Sequence, residues 1–316
     1  MLNVYEDLQS KKKYFLTNDE VNTEQEWDAF VKRIKGDNFV FRGVKDYSWK
    51  MYSSLQRDWD ERHQVGSFNR INKRFTDHYS FAQYLVDVVK ESSELTCFLS
   101  GDGIEINSMA LLQHYEYPSM LIDFSYDLEV ALFFMTENVT ADYCSLYYIN
   151  AENQFLNNCT LEDINTEALK KIEEMASQYD LKYSQYINML KDLKDLPISE
   201  YKRIDYIVVR GGTNNPTVSK STDLGVQYTY NFINPRMNQQ KGLFFLNTTK
   251  DTPLEELLEK KQYVFINCVN VCKNVVSHIK NNYVSPNVTK DSLYYPTRGA
   301  KAIKEIFDNL EKQKKI

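Results

Sequence analysis

The sequence lacks the short motifs by which several large enzyme classes are recognised. It contains no GxxxxGK[ST] phosphate loop, no GxSxG nucleophile elbow, no HExxH zinc motif and no GxGxxG dinucleotide fingerprint. Its four histidines are scattered and show no metal-ligand spacing. These absences argue against P-loop hydrolysis, serine hydrolysis, zinc peptidase activity and Rossmann-type hydride transfer, and no metal site is predicted.

Cysteine and long apolar runs are also scarce. The five cysteines, Cys97, Cys144, Cys159, Cys268 and Cys272, are odd in number and form no CxxC pair, so we interpret them as reduced thiols. No apolar run approaches the roughly 20 residues needed to span a bilayer, and the N-terminal residues lack the apolar core of a signal peptide. The sequence therefore predicts a cytoplasmic protein without a membrane partner.

The balance of charge is mildly acidic, with a net charge of −6. A protein that coats nucleic acid non-specifically needs an excess of basic residues. Nucleic acid is therefore a less favoured partner than a small nucleotide-type ligand.

Helical and alternating apolar patterns are intermixed along the chain, which predicts an α+β protein with mixed or antiparallel central sheets flanked by helices. Residues 1–22 form a polar N-terminal segment. Residues 23–150 and 206–316 are predicted to be two parts of one domain, the second ending in a C-terminal helix. Between them, residues 151–205 are rich in Lys, Glu, Asp and Asn with helical periodicity, which predicts a helical insertion. Residues 213–222 are predicted to form a loop.

Several element boundaries are marked by local signals. Thr23 with Glu26 three residues later forms a capping box, which predicts a helix from Thr23 to Lys35. The alternating residues 38–44 predict a strand that carries an arginine near its end. Asp127 or Ser125 is expected to cap a helix over residues 128–135.

The residues 109–136 are the most informative stretch. A helix is predicted to end near Tyr115, because the residue before Pro118 is pushed out of the helical region. A short buried strand follows, and Asp123 and Ser125 lie where that strand turns into the next helix. Such junctions commonly hold binding groups, since a helix N-terminus offers free N–H groups and a positive dipole end.

A second candidate lies in the strand at residues 38–44. Arg42 is followed by Gly43, which lets a ligand approach the backbone closely. An arginine beside such a gap suits bidentate capture of a phosphate or carboxylate. A strand arginine that points to solvent, or pairs with a carboxylate, is the alternative.

Four blocks occur in a fixed order in this sequence. They are Phe41-Arg42-Gly43; Leu112-Gln113-His114-Tyr115 with Pro118; Leu121-Ile122-Asp123-Phe124-Ser125 with Ala131-Leu132-Phe133-Phe134; and Asn234-Pro235-Arg236 with Gln240 and Gly242-Leu243-Phe244. Together they resemble the FRG domain, which is named for its Phe-Arg-Gly, over about residues 23–250. The resemblance implies a bacterial effector, such as a toxin or an antiviral defence component.

This chain departs from the family pattern at several positions. Glu116 stands where the family has a glycine after QHY, and Ser119-Met120 replaces Thr-Arg. Ser125 replaces a threonine and keeps the hydroxyl. The absence of an arginine at position 120 leaves that position without its family role.

The order of the blocks is also similar to the plan of ADP-ribosyltransferases, which implies an ADP-ribosyltransferase-like fold with NAD as the substrate. On that resemblance Arg42 holds a phosphate of NAD beside Gly43. Ser125 braces the nicotinamide pocket, and Tyr115 or Tyr117 stacks on the ring.

The resemblance further implies that Arg236 contributes to NAD binding. At the position of the usual catalytic glutamate this chain has Gln240 or Gln239, and an amide supplies no negative charge to an oxocarbenium-like transition state. Asp123 is then expected to supply that charge, with His114 as an acid or base. An unidentified macromolecule accepts the ADP-ribose.

Two other hypotheses remain open on the sequence alone. The same residues suit a module that binds a nucleotide or a phosphorylated ligand without turning it over. Alternatively, Gln113 and His114 satisfy buried backbone groups, and Asp123 forms a buried ion pair with Arg42. Convergence of Arg42, His114, Asp123 and Gln240 on an open cleft would favour the first two hypotheses, and a sealed cluster would favour the third.

Overall fold

The computed structural model describes most of the chain. The described residues are 2–35, 39–64, 78–91, 104–150, 206–212, 217–222, 225–231, 240–247, 249–260, 264–294, 305 and 309. The predicted helical insertion at 151–205, as well as Arg236 and Gln239, lies outside them.

The described residues form strands and helices that alternate irregularly along the chain, as the α+β prediction expects. The strands are β1 (Asn18–Val21), β2 (Phe39–Val44), β3 (Leu121–Ser125), β4 (Tyr143–Asn150), β5 (Tyr206–Gly212), β6 (Thr217–Thr222), β7 (Gly225–Asn231), β8 (Gly242–Asn247) and β9 (Asn267–Cys272). The helices are α1 (Leu8–Lys11), α2 (Glu24–Ile34), α3 (Ser54–Gln64), α4 (His78–Glu91), α5 (Ile104–His114), α6 (Leu128–Thr136), α7 (Leu254–Lys260), α8 (Val276–Tyr283) and α9 (Lys290–Leu293), with short 3-10 turns at Lys12–Tyr14 and Lys273–Val275.

The strands form one mixed sheet in the order β1-β9-β4-β2-β3-β8-β5-β7-β6. The pairs β1–β9 and β5–β7 are parallel, and the other neighbours are antiparallel. This confirms the predicted mixed sheet flanked by helices.

The two faces of the sheet bury separate apolar clusters. One face, with Val44 and Phe124, packs against the N-terminal segment and α7. The opposite face, with Phe41 and Leu146, packs against α2, α6 and α8. Alternate residues of β2 therefore enter different cores, as the two-residue period of a strand requires.

One prediction about local structure needs correction. Residues 217–222, predicted as a loop, form the strand β6, which pairs with β7. A polar strand gives no apolar alternation, so its sequence is not distinguished from a loop. The polar segment 1–22 contributes the edge strand β1 and buries Tyr5 and Phe15 in the core.

The helix lengths also bear on membrane association. Within the described ranges, no helix combines the length and the apolar character that crossing a bilayer requires.

Candidate functional site

A fork in the sheet opens onto a cleft. β2 pairs with β4 over six residues. It pairs with β3 at a single position, where Phe41 lies opposite Ser125. Beyond that pair the two strands separate. The cleft at this fork has a volume of about 680 Å³, within the range of about 300–1,000 Å³ that is typical of small-molecule sites.

Arg42 lies at the centre of the fork. Its Nη1 donates a hydrogen bond to the main-chain oxygen of Asp123 at 2.7 Å, so the guanidinium takes the place of a ladder bond that the separated strands no longer make. Its Nε is buried and has no hydrogen-bond partner within the described residues. Such a donor destabilises the fold, so stability alone does not explain an arginine at this position.

The carboxylate of Asp123 faces Arg42 across the fork. Its Oδ2 lies 3.5 Å from Arg42 Nη1 and accepts a hydrogen bond from Gln113 Nε2 at 2.9 Å. Gln113 is itself oriented by Ser54, whose hydroxyl donates to Gln113 Oε1 at 3.0 Å. The Asp123 side chain is still 44% exposed, so it is accessible to a ligand in the cleft.

Ser125 and Gln240 close the narrow end of the fork. The Ser125 hydroxyl donates to the main-chain oxygen of Gln240 at 2.6 Å and accepts from the N–H of Asp127 at 2.9 Å. The Gln240 side-chain amide donates to the main-chain oxygen of Leu293 at 3.2 Å. Both residues line the cleft, but their polar groups already hold the loops around it.

Gly43 allows α6 to pack directly on β2. A Cβ atom at this position would overlap the main-chain oxygen of Ala131 and lie 2.8 Å from the Cβ of Met135. The glycine of the Phe-Arg-Gly block is therefore required by helix packing at the cleft wall. Its predicted role in ligand approach stays a prediction.

Of the predicted aromatic and histidine residues, the structure places some in the cleft lining and others outside it. His114 lines the cleft, and its ring packs edge-on against Phe244 at 5.7 Å. Tyr117 also lines the cleft. Tyr115 is buried and is not among the lining residues, so of the two tyrosines Tyr117 is the one placed to contact a ligand.

Arg57 is a cleft residue that the sequence did not single out. Arg57 lies in the first turn of α3 and lines the cleft. Its Nη1 donates a hydrogen bond to the main-chain oxygen of Tyr52 at 2.5 Å. Desolvation by the cleft walls lowers its pKa, and the positive charge of Arg42 lowers it further. The two guanidinium groups therefore line one cleft and act on each other through their charges. No local sequence signal distinguishes Arg57, because Arg42 approaches it only through the fold.

Aromatic side chains form part of the cleft lining. Phe134 and Tyr294 lie near the narrow end, with their rings edge-to-face at 6.2 Å. Trp49 and Tyr52 also line the cleft, and Trp49 is 44% exposed. Elsewhere in the described chain, no group of three or more His, Cys, Asp or Glu side chains is arranged to hold a metal ion.

Comparison with protein families identifies the centre of this site. Residues 37–144 match the family model of the FRG domain. The chain contains an FRG domain. Searches of curated proteins and of solved structures each gave no match to the chain.

The matched FRG domain holds most of the cleft. It supplies Arg42, Arg57, Gln113, His114 and Asp123. Later residues add strand β8 beside β3 and place Gln240 and Tyr294 at the narrow end. The four predicted residues Arg42, His114, Asp123 and Gln240 thus converge on one open cleft rather than a sealed cluster.

Proposed function

We propose that the FRG-domain cleft binds NAD and transfers its ADP-ribose to a macromolecular acceptor. The observation that carries the proposal is the pair Arg42 and Arg57, which both line one cleft together with aromatic side chains, and whose positive charges act on each other. Asp123 supplies a carboxylate beside this pair, with its Oδ2 3.5 Å from Arg42 Nη1.

Two guanidinium groups that line one cleft match a pyrophosphate. Each guanidinium presents several N–H donors in a plane, which suits the oxygens of neighbouring phosphates. Desolvation and then the charge of Arg42 lower the pKa of Arg57, and a bound pyrophosphate would offset the repulsion between the two arginines. The rings of a dinucleotide, one on each side of its pyrophosphate, suit the aromatic side chains that line the cleft.

The transfer step breaks the bond between the ribose carbon and the nicotinamide nitrogen. The bonding electron pair leaves with nicotinamide, which becomes neutral, and positive charge develops on the ribose. The negative charge of Asp123 stabilises that developing charge. The acceptor nucleophile then bonds to the ribose carbon, and its proton passes to His114 or to solvent.

Incubation of purified protein with labelled NAD and cell lysate tests the proposal. Nicotinamide release or label transfer is expected in the wild type. Arg42→Ala should weaken NAD binding by about 100-fold, as loss of a charged bidentate contact does. Arg42→Lys keeps the charge but lacks the planar guanidinium. Its affinity for NAD should therefore lie between those of the wild type and Arg42→Ala. Wild-type turnover by Arg42→Ala would contradict the phosphate role.

Asp123→Asn separates binding from chemistry. The amide keeps the size of the side chain and removes the charge opposite Arg42, so NAD binding should be unchanged or tighter while turnover falls. An equal loss of binding and turnover would assign Asp123 to ligand binding instead.

A second function, nucleotide binding without turnover, is favoured by one observation. The narrow end of the cleft has Gln240, whose amide is bonded to Leu293, in place of a glutamate, and Asp123 is restrained by Gln113. A thermal shift with NAD, without nicotinamide release from any lysate, would support this binding module. The proposed biological role as an effector in toxicity or antiviral defence is compatible with either activity.

A further inference from the structure

The loop after α5 has a backbone conformation that favours glycine. The N–H of Tyr117 donates to the oxygen of Leu112 at 2.9 Å, and the N–H of Glu116 donates to the oxygen of Gln113 at 3.3 Å. These two bonds define a Schellman motif, whose C′ position is left-handed and usually occupied by glycine. Here that position is Glu116, with φ of 66°.

A side chain at this position is unfavourable for the fold. A left-handed conformation costs a residue with a Cβ atom about 1–2 kcal/mol. Such outliers are often retained at ligand sites, where the side chain is needed despite the strain. The strain at Glu116 therefore calls for a role of its side chain.

The structure places that side chain in the cleft. Glu116 is exposed and lines the same cleft as Arg42 and Asp123. Within the described residues its carboxylate makes no hydrogen bond or ion pair, whereas Asp123 is restrained by Arg42 and Gln113. Glu116 thus offers two acceptor oxygens that the fold itself does not use.

We propose that Glu116 is a specificity-determining residue that binds the diol of a ribose in the bound nucleotide. A carboxylate accepts hydrogen bonds from vicinal hydroxyls, as acidic residues in dinucleotide sites do. It would repel a phosphate, so its place is beside the sugar rather than the pyrophosphate. This inference rests on the proposed binding of NAD.

Two probes distinguish sugar recognition from phosphate recognition. Calorimetric titration with ADP-ribose reports the sugars and the phosphates, whereas titration with inorganic pyrophosphate reports the phosphates alone. Glu116→Gln should weaken ADP-ribose binding by about tenfold, the value of one charge-assisted hydrogen bond. Its pyrophosphate binding should be unchanged or tighter. Arg42→Ala should weaken both ligands.

The outcomes separate this inference from the proposed function. If the wild type binds neither ligand, the proposed function and this inference both fail. If the wild type binds ADP-ribose and Glu116→Gln binds it equally well, only the role of Glu116 is refuted. An equal loss of both ligands in Glu116→Gln would also refute it, because a general disturbance of the cleft would then be the cause.

Glu116→Gly provides an independent readout. Removal of the left-handed strain should raise the Tm by about 2 °C, while ADP-ribose binding falls. Asn138→Gly is the matched control, since Asn138 has φ of 55° and is not among the residues that line the cleft. That control should not lower the Tm and should leave binding unchanged. A Glu116→Gly variant that binds ADP-ribose normally would overturn the proposal.

Discussion

The protein contains two polar clusters at strands of the same sheet, and they are built in opposite ways. In the first, the side chain of Lys11 is fully buried and donates to Tyr47 O, Ser145 Oγ and Asn270 Oδ1 at 2.9–3.0 Å. In the second, Arg42 makes one short hydrogen bond, to Asp123 O, and keeps a buried Nε without a partner in the described chain. The first cluster is closed, and the second faces a cleft.

The difference indicates which cluster has a structural role. Each of the three N–H groups of the Lys11 ammonium has an acceptor, and the aromatic rings of Tyr5 and Tyr147 cover it at 5.3 and 5.2 Å. A satisfied, sealed polar cluster specifies packing. The arginines of the fork have donors to spare and an open side, which is the arrangement expected of a ligand site.

Replacement of Lys11 should give the largest loss of stability. Lys11→Met removes three hydrogen bonds from the interior, although the Ser145 hydroxyl still donates to Asn270 Oδ1. The free energy of unfolding is expected to fall by about 3 kcal/mol, as measured by urea denaturation. Lys12→Met, on the exposed neighbour, is the control and should change it by less than about 0.5 kcal/mol. Equal stability of the two variants would mean that the buried cluster does not hold the fold.

Ligand binding should distinguish the two clusters further. At a temperature where Lys11→Met remains folded, its affinity for pyrophosphate should equal that of the wild type, because Lys11 does not line the cleft. A loss of affinity in the folded variant would show that the closed cluster and the fork are coupled.

Gly43→Ala should give the next largest effect, and it acts on the fork itself. The new Cβ would overlap the main-chain oxygen of Ala131, so β2 and α6 must move apart. Overpacking of this kind costs about 1–3 kcal/mol, which a thermal or urea melt would detect. Because Arg42 is the preceding residue, pyrophosphate binding should weaken as well. A variant with wild-type stability and affinity would exclude close helix packing as the reason for the glycine.

Local features were well predicted from sequence. Thr23 caps α2, and its capping box with Glu26 is present. Asp127 caps α6, as one of the two predicted alternatives. Each of these signals is carried by residues that lie within one turn of each other, so the neighbouring sequence contains the whole interaction.

Features that depend on distant residues were missed. β1 pairs with β9, and in this pairing Asn18 lies opposite Cys268. A local sequence pattern cannot indicate a strand partner that is so distant along the chain. Arg57 joins Arg42 in the cleft only after α3 packs beside the fork. The unusual residue at Glu116 was visible in the sequence, but its meaning required the left-handed backbone angle.

A third polar cluster, on the surface between α2 and α8, should give the smallest effect. Asp28 accepts a hydrogen bond from the Tyr283 hydroxyl at 2.6 Å and lies 2.7 Å from His278 Nε2. The Tyr283 hydrogen bond, followed by that of His278, lowers the pKa of Asp28. Glu24 also faces this histidine, at 3.4 Å.

The lowered pKa gives this cluster a defined dependence on pH. A carboxyl group whose pKa is lower in the folded state stabilises the fold above its unfolded pKa of about 3.9 and loses that contribution as the pH falls through its folded value. Asp28→Asn should therefore lower the Tm slightly at pH 7 and flatten the decline of Tm below about pH 4. Glu6→Gln, on an exposed carboxyl group, serves as the control. If the Tm of Asp28→Asn declines below about pH 4 as steeply as that of the wild type, this surface cluster, unlike the buried one, adds nothing to the stability of the fold.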